Sequence, residues 1–117
     1  MLRKLLAGLV AMASLAAVGG AQAAEPVRIG FSLAQTGLFA AAAPSQLNAY
    51  ELWRDQVNAA GGLDVGGEKR MIEFVMYDDR SDPGEAVRIY EKLITDDKVD
   101  LLLAPWGTPH HFAIAGV

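Results

Sequence analysis

The chain has 117 residues, of which 52% are hydrophobic and 21% charged, with a formal net charge of −4 at pH 7 and no cysteine. The absence of cysteine excludes disulfides, thiolate chemistry and attachment of a lipid to a cysteine. The acidic balance argues against nucleic acid or an anionic membrane as a partner, because both are bound through clustered Lys and Arg.

The first 23 residues have the pattern of a secretory signal peptide. Arg3 and Lys4 form a basic start, residues 5–18 are apolar, and small residues precede a cleavage site between Ala23 and Ala24. The apolar run is shorter than the roughly 20 residues of a membrane span. We therefore predict cleavage, a periplasmic location and no stable membrane insertion afterwards, with an uncleaved N-terminal anchor as the alternative. Removal of the signal leaves eight basic and fourteen acidic residues, a formal charge of −6.

The mature segment begins with a predicted strand over residues 27–33, followed by the polar loop Gln35-Thr36-Gly37. A helix is predicted over residues 44–60, because apolar side chains recur there three, three and four positions apart. Gly61-Gly62 would end it, since glycine readily adopts positive φ. The apolar face of this helix is expected to comprise Leu47, Tyr50, Trp53 and Val57.

A second strand is predicted over residues 72–77, after a turn at Gly66-Gly67. Asp82 then suits a helix N-cap, Pro83 the first helical position, and Glu85 the third position of a capping box. These signals predict a helix over residues 83–96. Its buried residues are expected to be Ala86, Val87, Tyr90, Leu93 and Ile94.

A third strand is predicted over residues 99–104, near the middle of the sheet and covered on both faces because it is almost continuously hydrophobic. Thr108-Pro109 would begin a third helix, and the chain ends at Val117. Alternating strands and helices predict right-handed βαβ units. The predicted fold class is therefore α/β, a three-layer parallel-sheet sandwich. Only its first part is expected in this chain, as in a truncated or partial reading frame, so the third strand would lack a partner on one side.

The sequence contains no recognisable catalytic or metal-binding motif. Asp78 and Asp79 could suggest a metal or acid–base pair, but adjacent carboxylates on an extended strand point to opposite faces, so turn and capping roles are favoured. His110 and His111 lack the i, i+4 spacing of a helical zinc pair, and we expect both to be exposed polar residues. G-x-G-x-x-G, Walker A and G-x-S-x-G motifs are absent. We predict no enzyme activity, no cofactor and no metal.

The order of these segments strongly resembles the start of type I periplasmic binding proteins of the leucine/isoleucine/valine class, the solute receptors of ABC importers. The most specific matches are Asn58-Ala59-Ala60-Gly61-Gly62 and the junction Tyr77-Asp78-Asp79 followed by Asp82-Pro83. The resemblance covers essentially all of the mature segment. It implies that two α/β lobes close on a small ligand, that residues 24–117 form the N-terminal part of lobe 1, and that ABC permease subunits are partners.

The resemblance also implies where the ligand lies. Its charged end would sit on the loop after the third strand, where free N–H groups at a helix start suit a carboxylate. The loop after the first strand would form the neighbouring wall. The predicted ligand contacts are Thr108, Gly107, Trp106 and Pro105 on the first loop, and Thr36 and Phe39 on the second.

Two of these contacts have structural alternatives, and two features depart from the family pattern. Thr108 is equally well interpreted as a plain N-cap, and Trp106 could cover an edge of the core instead of stacking on a ligand. The family usually has hydroxyl-rich residues where this chain has Trp106 and Gly107, and an early aromatic residue where this chain has alanines at 40–43. A bulkier or aromatic acid, or an amide, is thus at least as plausible a ligand as a branched-chain amino acid.

The predicted function is the periplasmic substrate-binding component of an ABC importer for amino acids or related small organic acids or amides. The segment is not expected to bind ligand alone, because half the cleft is missing. A ligand-sensing ectodomain of the same fold, coupled to signalling, is the alternative. An exported hydrolase would require a catalytic motif that this sequence does not contain.

Overall fold

The computed structural model describes residues 23–117, so the predicted signal peptide lies outside the described residues except for its last position, Ala23. Strands and helices alternate along the chain. The elements are β1 (Val27–Leu33), α1 (Pro44–Ala59), β2 (Leu63–Val65), β3 (Glu68–Arg70), β4 (Ile72–Asp78), α2 (Pro83–Thr95), β5 (Leu101–Leu102) and α3 (Thr108–Ile114).

The main sheet is parallel, with strand order β4-β1-β5. β1 pairs with β4 along its whole length, from Val27 opposite Ile72 to Leu33 opposite Asp78. The alternation of parallel strands with helices confirms the predicted α/β class. Among the described residues the central strand is β1 and β5 lies at an edge, so the position of the third strand near the middle of a complete sheet stays a prediction.

β5 is shorter and more exposed than the sequence predicts. It pairs only at Leu101 and Leu102, which are 51% and 41% exposed, so the expected covering of both faces is not present. Pairing begins late because the Asp100 carboxylate accepts the Arg28 N–H, which a strand partner would otherwise use. Within residues 23–117 β5 has β1 as its sole strand partner, as predicted for an incomplete sheet.

Helices cover both faces of the sheet and give the predicted three layers. Phe31 points towards α1, and its ring centre lies 5.2 Å from that of Tyr50 on α1. On the same face of the sheet it lies 5.1 Å from the ring centre of Phe74 on β4, and both contacts are edge to face. Gly30 points towards α2, and a Cβ there would lie 2.7 Å from a Leu93 methyl group. Side chains on alternate positions of β1 therefore contribute to two separate core layers.

Both long helices begin as predicted, but some face assignments are wrong. Leu47, Tyr50 and Val57 pack against the core, whereas Trp53 is 39% exposed and the Arg54 guanidinium lies 5.0 Å from the Phe74 ring centre. On α1, Arg54 therefore faces the sheet at the place where the sequence predicted Trp53.

In α2 the Asp82 carboxylate accepts the Glu85 N–H at 2.8 Å, which confirms the predicted N-cap. Ala86, Tyr90 and Leu93 are buried as expected, and Ile89 joins them. Val87 is only half-buried and Ile94 is 45% exposed, because the helical repeat places position 89 between 86 and 93 on the buried face.

A short antiparallel hairpin, β2–β3, lies where the sequence predicted only a turn. Gly66 and Gly67 have φ values of 63° and 89°, and the Asp64 carboxylate accepts the Gly67 N–H at 2.8 Å. These positive φ values explain why two glycines occupy the turn.

Candidate ligand-binding site

The carboxyl ends of β1, β4 and β5 meet at one edge of the sheet, as they must in a parallel sheet, and this edge is where α/β folds bind ligands. Here the structure brings together three of the predicted contact residues. The Phe39 and Trp106 rings lie 4.9 Å apart at 47°, and a Cβ at Gly107 would lie 4.0 Å from the Phe39 ring. We call Phe39 and Trp106, both half-buried, the aromatic corner.

Thr36 lies on the same loop as Phe39, but its hydroxyl is already engaged. It donates to Asp78 Oδ2 at 2.7 Å, while the N–H groups of Gln35 and Thr36 both point at Asp78 Oδ1. The Thr36 hydroxyl therefore has acceptor capacity left but no hydrogen to donate. Its visible role is to attach the β1–α1 loop to the end of β4.

Asp78 and Asp79 point in different directions, as expected for neighbours at a strand end. Asp78 also accepts the Arg80 N–H at 2.8 Å. Burial alone would raise the pKa of Asp78, but the hydrogen bonds from Thr36, Arg80 and Gln35 outweigh it and hold that pKa below its usual value. Asp79 instead turns into the protein, where its carboxylate accepts the Ser32 hydroxyl at 2.7 Å and the Ser81 N–H at 3.0 Å.

Ser81 fixes the backbone of the loop that carries the aromatic corner. Its hydroxyl donates to the Thr36 carbonyl at 2.8 Å and accepts the Phe39 N–H at 3.0 Å. Gly37 lies against the same junction, where a Cβ would be 2.5 Å from the Arg80 carbonyl oxygen. Sequence reasoning missed Ser81, because nothing local indicates a contact with residues more than forty positions away.

The segment before the third helix is held mainly by side chains, after a last backbone hydrogen bond from the Leu103 N–H to the Gly30 carbonyl at 2.9 Å. The Tyr90 hydroxyl donates to the Leu103 carbonyl at 2.6 Å, and both Tyr50 and Gln46 donate to the Ala104 carbonyl, at 3.1 and 3.0 Å. Burial raises the pKa of each tyrosine, so both hydroxyls remain donors at neutral pH. The sequence contained a signal for these contacts, because Tyr50 and Tyr90 lie on the predicted buried faces of the two helices and a buried tyrosine hydroxyl needs a hydrogen-bond partner.

Pro105 is a correction to the predicted site. Its side chain is less than 2% exposed, and it has no N–H to offer a ligand. It lies beneath the loop because Gln46 and Tyr50 draw the preceding carbonyl towards α1. The Pro105 side chain therefore packs beneath the loop and is not accessible to a ligand.

Thr108 is exposed and is the first residue of α3, so its interpretation as the N-cap is wrong. Gly107 occupies that position with φ 95°, and no side chain caps the helix. Among the described residues, no hydrogen-bond acceptor is found for the N–H groups of Trp106, Gly107 and Thr108. With only seven residues in α3, these individual donors matter more than the helix dipole.

A small cavity of about 210 Å³ lies beside the loop of the aromatic corner. It is lined by Leu33, Ala34, Gln35, Ala40, Ala43, Pro44 and Leu47. Ala40 and Ala43 belong to the alanine run that departs from the family pattern, and their small side chains leave this space open. Its lining suits a hydrocarbon group better than a charged one.

The prediction that both histidines are exposed is wrong for one of them. His111 is exposed, but His110 is fully buried beside Asp79, with Nε2 3.5 Å from Asp79 Oδ1. Within residues 23–117 no group of three or more His, Asp or Glu side chains is placed to hold a metal ion. In the same part of the chain, no helix is long and apolar enough to span a membrane.

Comparison with known proteins identifies the family of the chain. Residues 26–117 match the sequence model of the periplasmic binding proteins. A branched-chain amino acid transporter substrate-binding protein from Streptococcus pneumoniae, solved with isoleucine, is 31% identical; the match covers 78% of this chain and 25% of that one, with a TM-score of 0.69.

Two further solved structures are similar. A benzoate-bound solute-binding protein of an R. palustris ABC transporter is 30% identical over 76% of this chain and 23% of its own, with a TM-score of 0.61. An ABC transporter substrate-binding protein from Sphaerobacter thermophilus is 26% identical over 78% and 23%, with a TM-score of 0.65. This chain thus spans about a quarter of their length. Such proteins bind solutes and are not enzymes. The chain belongs to the periplasmic binding protein family and forms part of the type I fold of that family.

Proposed function

We propose that the chain supplies part of one lobe of a periplasmic substrate-binding component that delivers a small carboxylate, or the related amide, to ABC permease subunits. The single observation that carries the proposal is the aromatic corner beside the N–H groups of Trp106, Gly107 and Thr108. An aromatic surface next to unpaired donors suits a ligand with an apolar body and one polar end.

The relatives support this class of ligand. The solved structures from S. pneumoniae and R. palustris contain isoleucine and benzoate, each of which joins a carboxylate to an apolar group. In this chain the carboxylate would accept the loop N–H groups and the Thr108 hydroxyl. The apolar body would lie against Trp106 and extend towards the cavity lined by Ala40 and Ala43. That space favours a bulky or aromatic body.

Calorimetry on a full-length receptor carrying this segment tests the proposal, with isoleucine, phenylalanine, benzoate and benzamide as probes. Trp106→Ala and Thr108→Ala should each weaken binding of the best probe by about tenfold, roughly the loss of one aromatic contact or hydrogen bond. Trp53→Phe is the matched control, because Trp53 lies on α1 away from the aromatic corner. Unchanged affinity in both Trp106→Ala and Thr108→Ala would exclude this site.

The lobe alone should not bind. Residues 24–117 offer one side of a cleft, so the ligand would remain exposed to water and most of its apolar surface would stay unburied. The same calorimetric titration on this segment should give no heat at micromolar concentrations of any probe. Micromolar binding by the segment alone would contradict a two-lobed mechanism.

A further inference from the structure

We propose that Asp79 and His110 form a buried positioning pair, in which an N–H at His110 Nε2 is directed at Asp79 Oδ1 and the imidazole ring fixes the aromatic corner. Both side chains are fully buried, although they come from different elements: Asp79 follows β4, and His110 lies in the first turn of α3. Their closest atoms are 3.5 Å apart. The effect on ligand binding rests on the proposed function, whereas the pair itself does not.

The surroundings of Asp79 indicate why a histidine is placed there. A buried carboxylate is strongly destabilising unless several donors surround it. Asp79 receives one hydrogen bond from the Ser32 hydroxyl and one from the Ser81 N–H. Neither ring nitrogen of His110 has a hydrogen-bond partner among the described residues, and Nε2 faces the carboxylate oxygen that Ser81 also contacts. An N–H at Nε2 would be the third group directed at this carboxylate, over a longer distance than the hydrogen bonds from Ser32 and Ser81.

The His110 ring also contacts the aromatic corner. Its ring centre lies 5.7 Å from that of Phe39 at 69°, an edge-to-face contact. His110 Nδ1 would be 3.8 Å from a Cβ at Gly107, so the ring also bounds the turn that precedes α3. Phe39 in turn contacts Trp106 at 4.9 Å. A continuous series of contacts thus joins Asp79 to Trp106 through His110 and Phe39.

Two different groups hold Phe39, and they act on different parts of it. Ser81 binds the backbone N–H of Phe39 and thereby fixes the loop. His110 contacts the ring and limits its rotation. If His110 merely filled space, a phenylalanine in its place would leave Trp106 undisturbed; if Asp79 orients it, removing the ring nitrogens should change the environment of Trp106.

A single-tryptophan variant separates these two possibilities. The chain has two tryptophans, so Trp53→Phe makes Trp106 the sole reporter in near-ultraviolet circular dichroism and fluorescence. In this background His110→Phe and Asp79→Asn should shift the Trp106 signals in the same direction. The double variant should equal either single variant, because both disrupt one interaction. An unchanged Trp106 signal in His110→Phe, or effects of the two changes that add, would overturn the proposal.

His111→Phe is the matched control. His111 is the adjacent residue and its Nδ1 lies 2.8 Å from the Gly107 carbonyl oxygen, but the ring is exposed and water can replace that bond. The Trp106 signals should therefore match those of the Trp53→Phe parent. A shift as large as that of His110→Phe would show that any change near Gly107 has this effect, which would overturn the specific role of the buried ring.

Nuclear magnetic resonance gives a test that does not depend on substitutions of the two buried residues. The chain has two histidines, so His111→Asn assigns the ring signals of His110. A long-range nitrogen–proton spectrum at neutral pH should place a proton on His110 Nε2. A ring whose Nε2 carries no proton cannot donate to Asp79 and would overturn the pair.

A binding experiment on the full-length receptor, with benzoate and isoleucine as probes, tests whether the pair affects ligand affinity. His110→Phe should raise the Kd by about threefold to tenfold, the range of one aromatic contact. His111→Phe should change it by less than about twofold, as an exposed substitution. An unchanged Kd with a shifted Trp106 signal would overturn the proposed effect of the pair on ligand binding. If none of the four calorimetric probes (isoleucine, phenylalanine, benzoate and benzamide) binds the parent, the proposed function fails, while the spectroscopic tests still decide the pair.

Discussion

Two strand-to-helix junctions lie at the same edge of the sheet and use opposite chemistry. In the β4–α2 junction, residues 78–82, acidic side chains accept the backbone N–H groups of Gln35, Arg80 and Glu85. In the β5–α3 junction, residues 103–107, there is no acidic side chain, and Gly107 begins the helix without a side-chain cap. Tyrosine and glutamine side chains instead bind its carbonyl groups.

The difference indicates how one topology can provide both a structural support and the proposed binding edge. Carboxylates at the first junction consume the N–H donors around them, so little remains for a ligand. At the second junction side chains of α1 and α2 bind the carbonyl groups of Leu103 and Ala104, which fixes the loop, while the N–H groups of Trp106 and Gly107 have no acceptor among the described residues. A parallel sheet fixes where ligands can bind; residue chemistry at each strand end then decides which loop does so.

The first prediction breaks the contact between the β4–α2 junction and its neighbouring loop. Gly37→Ala should lower the free energy of unfolding by about 3 kcal/mol, because positive φ disfavours a side chain and the new Cβ would clash with the Arg80 carbonyl. Gly61→Ala is the matched control. Its φ is 100° but nothing lies within 4 Å of a Cβ there, so only the backbone cost of about 1–2 kcal/mol applies. Urea unfolding measures both, and equal losses would show that the loop is not seated on Arg80.

The second prediction concerns the support of the β5–α3 junction. Tyr90→Phe should lower the free energy of unfolding by about 1–3 kcal/mol, because it leaves the carbonyl of half-buried Leu103 without its hydroxyl donor. Tyr50→Phe should have a smaller effect, about 0.5–1 kcal/mol, because Gln46 still donates to the Ala104 carbonyl. Urea unfolding compares the two variants. A Tyr50→Phe loss as large as that of Tyr90→Phe would contradict this account of how the junction is supported.

Periodicity and capping chemistry predicted much of this fold. β1 has the expected bounds, and α1, β4 and α2 end within one residue of their predicted limits. The signals for these elements are local: apolar spacing, Asp82 before Pro83, and glycines after α1. The hairpin β2–β3 was missed because three-residue strands are too short to display a period.

The remaining errors arise from contacts between distant segments. β5 is short because hydroxyl groups of Tyr90 and Tyr50, on two different helices, bind the carbonyls that follow it. His110 is buried because Asp79, in another junction, faces it. Phe39 and Trp106 were correctly assigned to one edge, but their mutual contact and the burial of Pro105 depend on tertiary packing.

Acid stability provides the mildest test of the β4–α2 junction, and two other carboxyl groups contribute to it. Hydrogen bonds from Arg88 and Arg80 lower the pKa of Glu85. A hydrogen bond from Lys92 lowers the pKa of Asp97, near the end of α2. Any comparison of acid sensitivity must therefore isolate the contribution of Asp78.

The third prediction isolates the contribution of the Asp78 carboxylate by substitution. Because the folded-state pKa of Asp78 is depressed, its contribution to stability is fully present above the unfolded pKa of about 4 and is lost as the pH falls through the folded value. The free energy of unfolding should thus vary little between about pH 7 and 5 and fall below about pH 4. Asp78→Asn should reduce this dependence, and Thr36→Val should reduce it less, because three backbone N–H groups still point at the carboxylate. Urea unfolding across this pH range measures all three proteins. If Asp78→Asn kept the full acid dependence, the charge of the Asp78 carboxylate would not be what holds the two loops together. The proposed chemical difference between the two junctions would then be wrong for the β4–α2 junction.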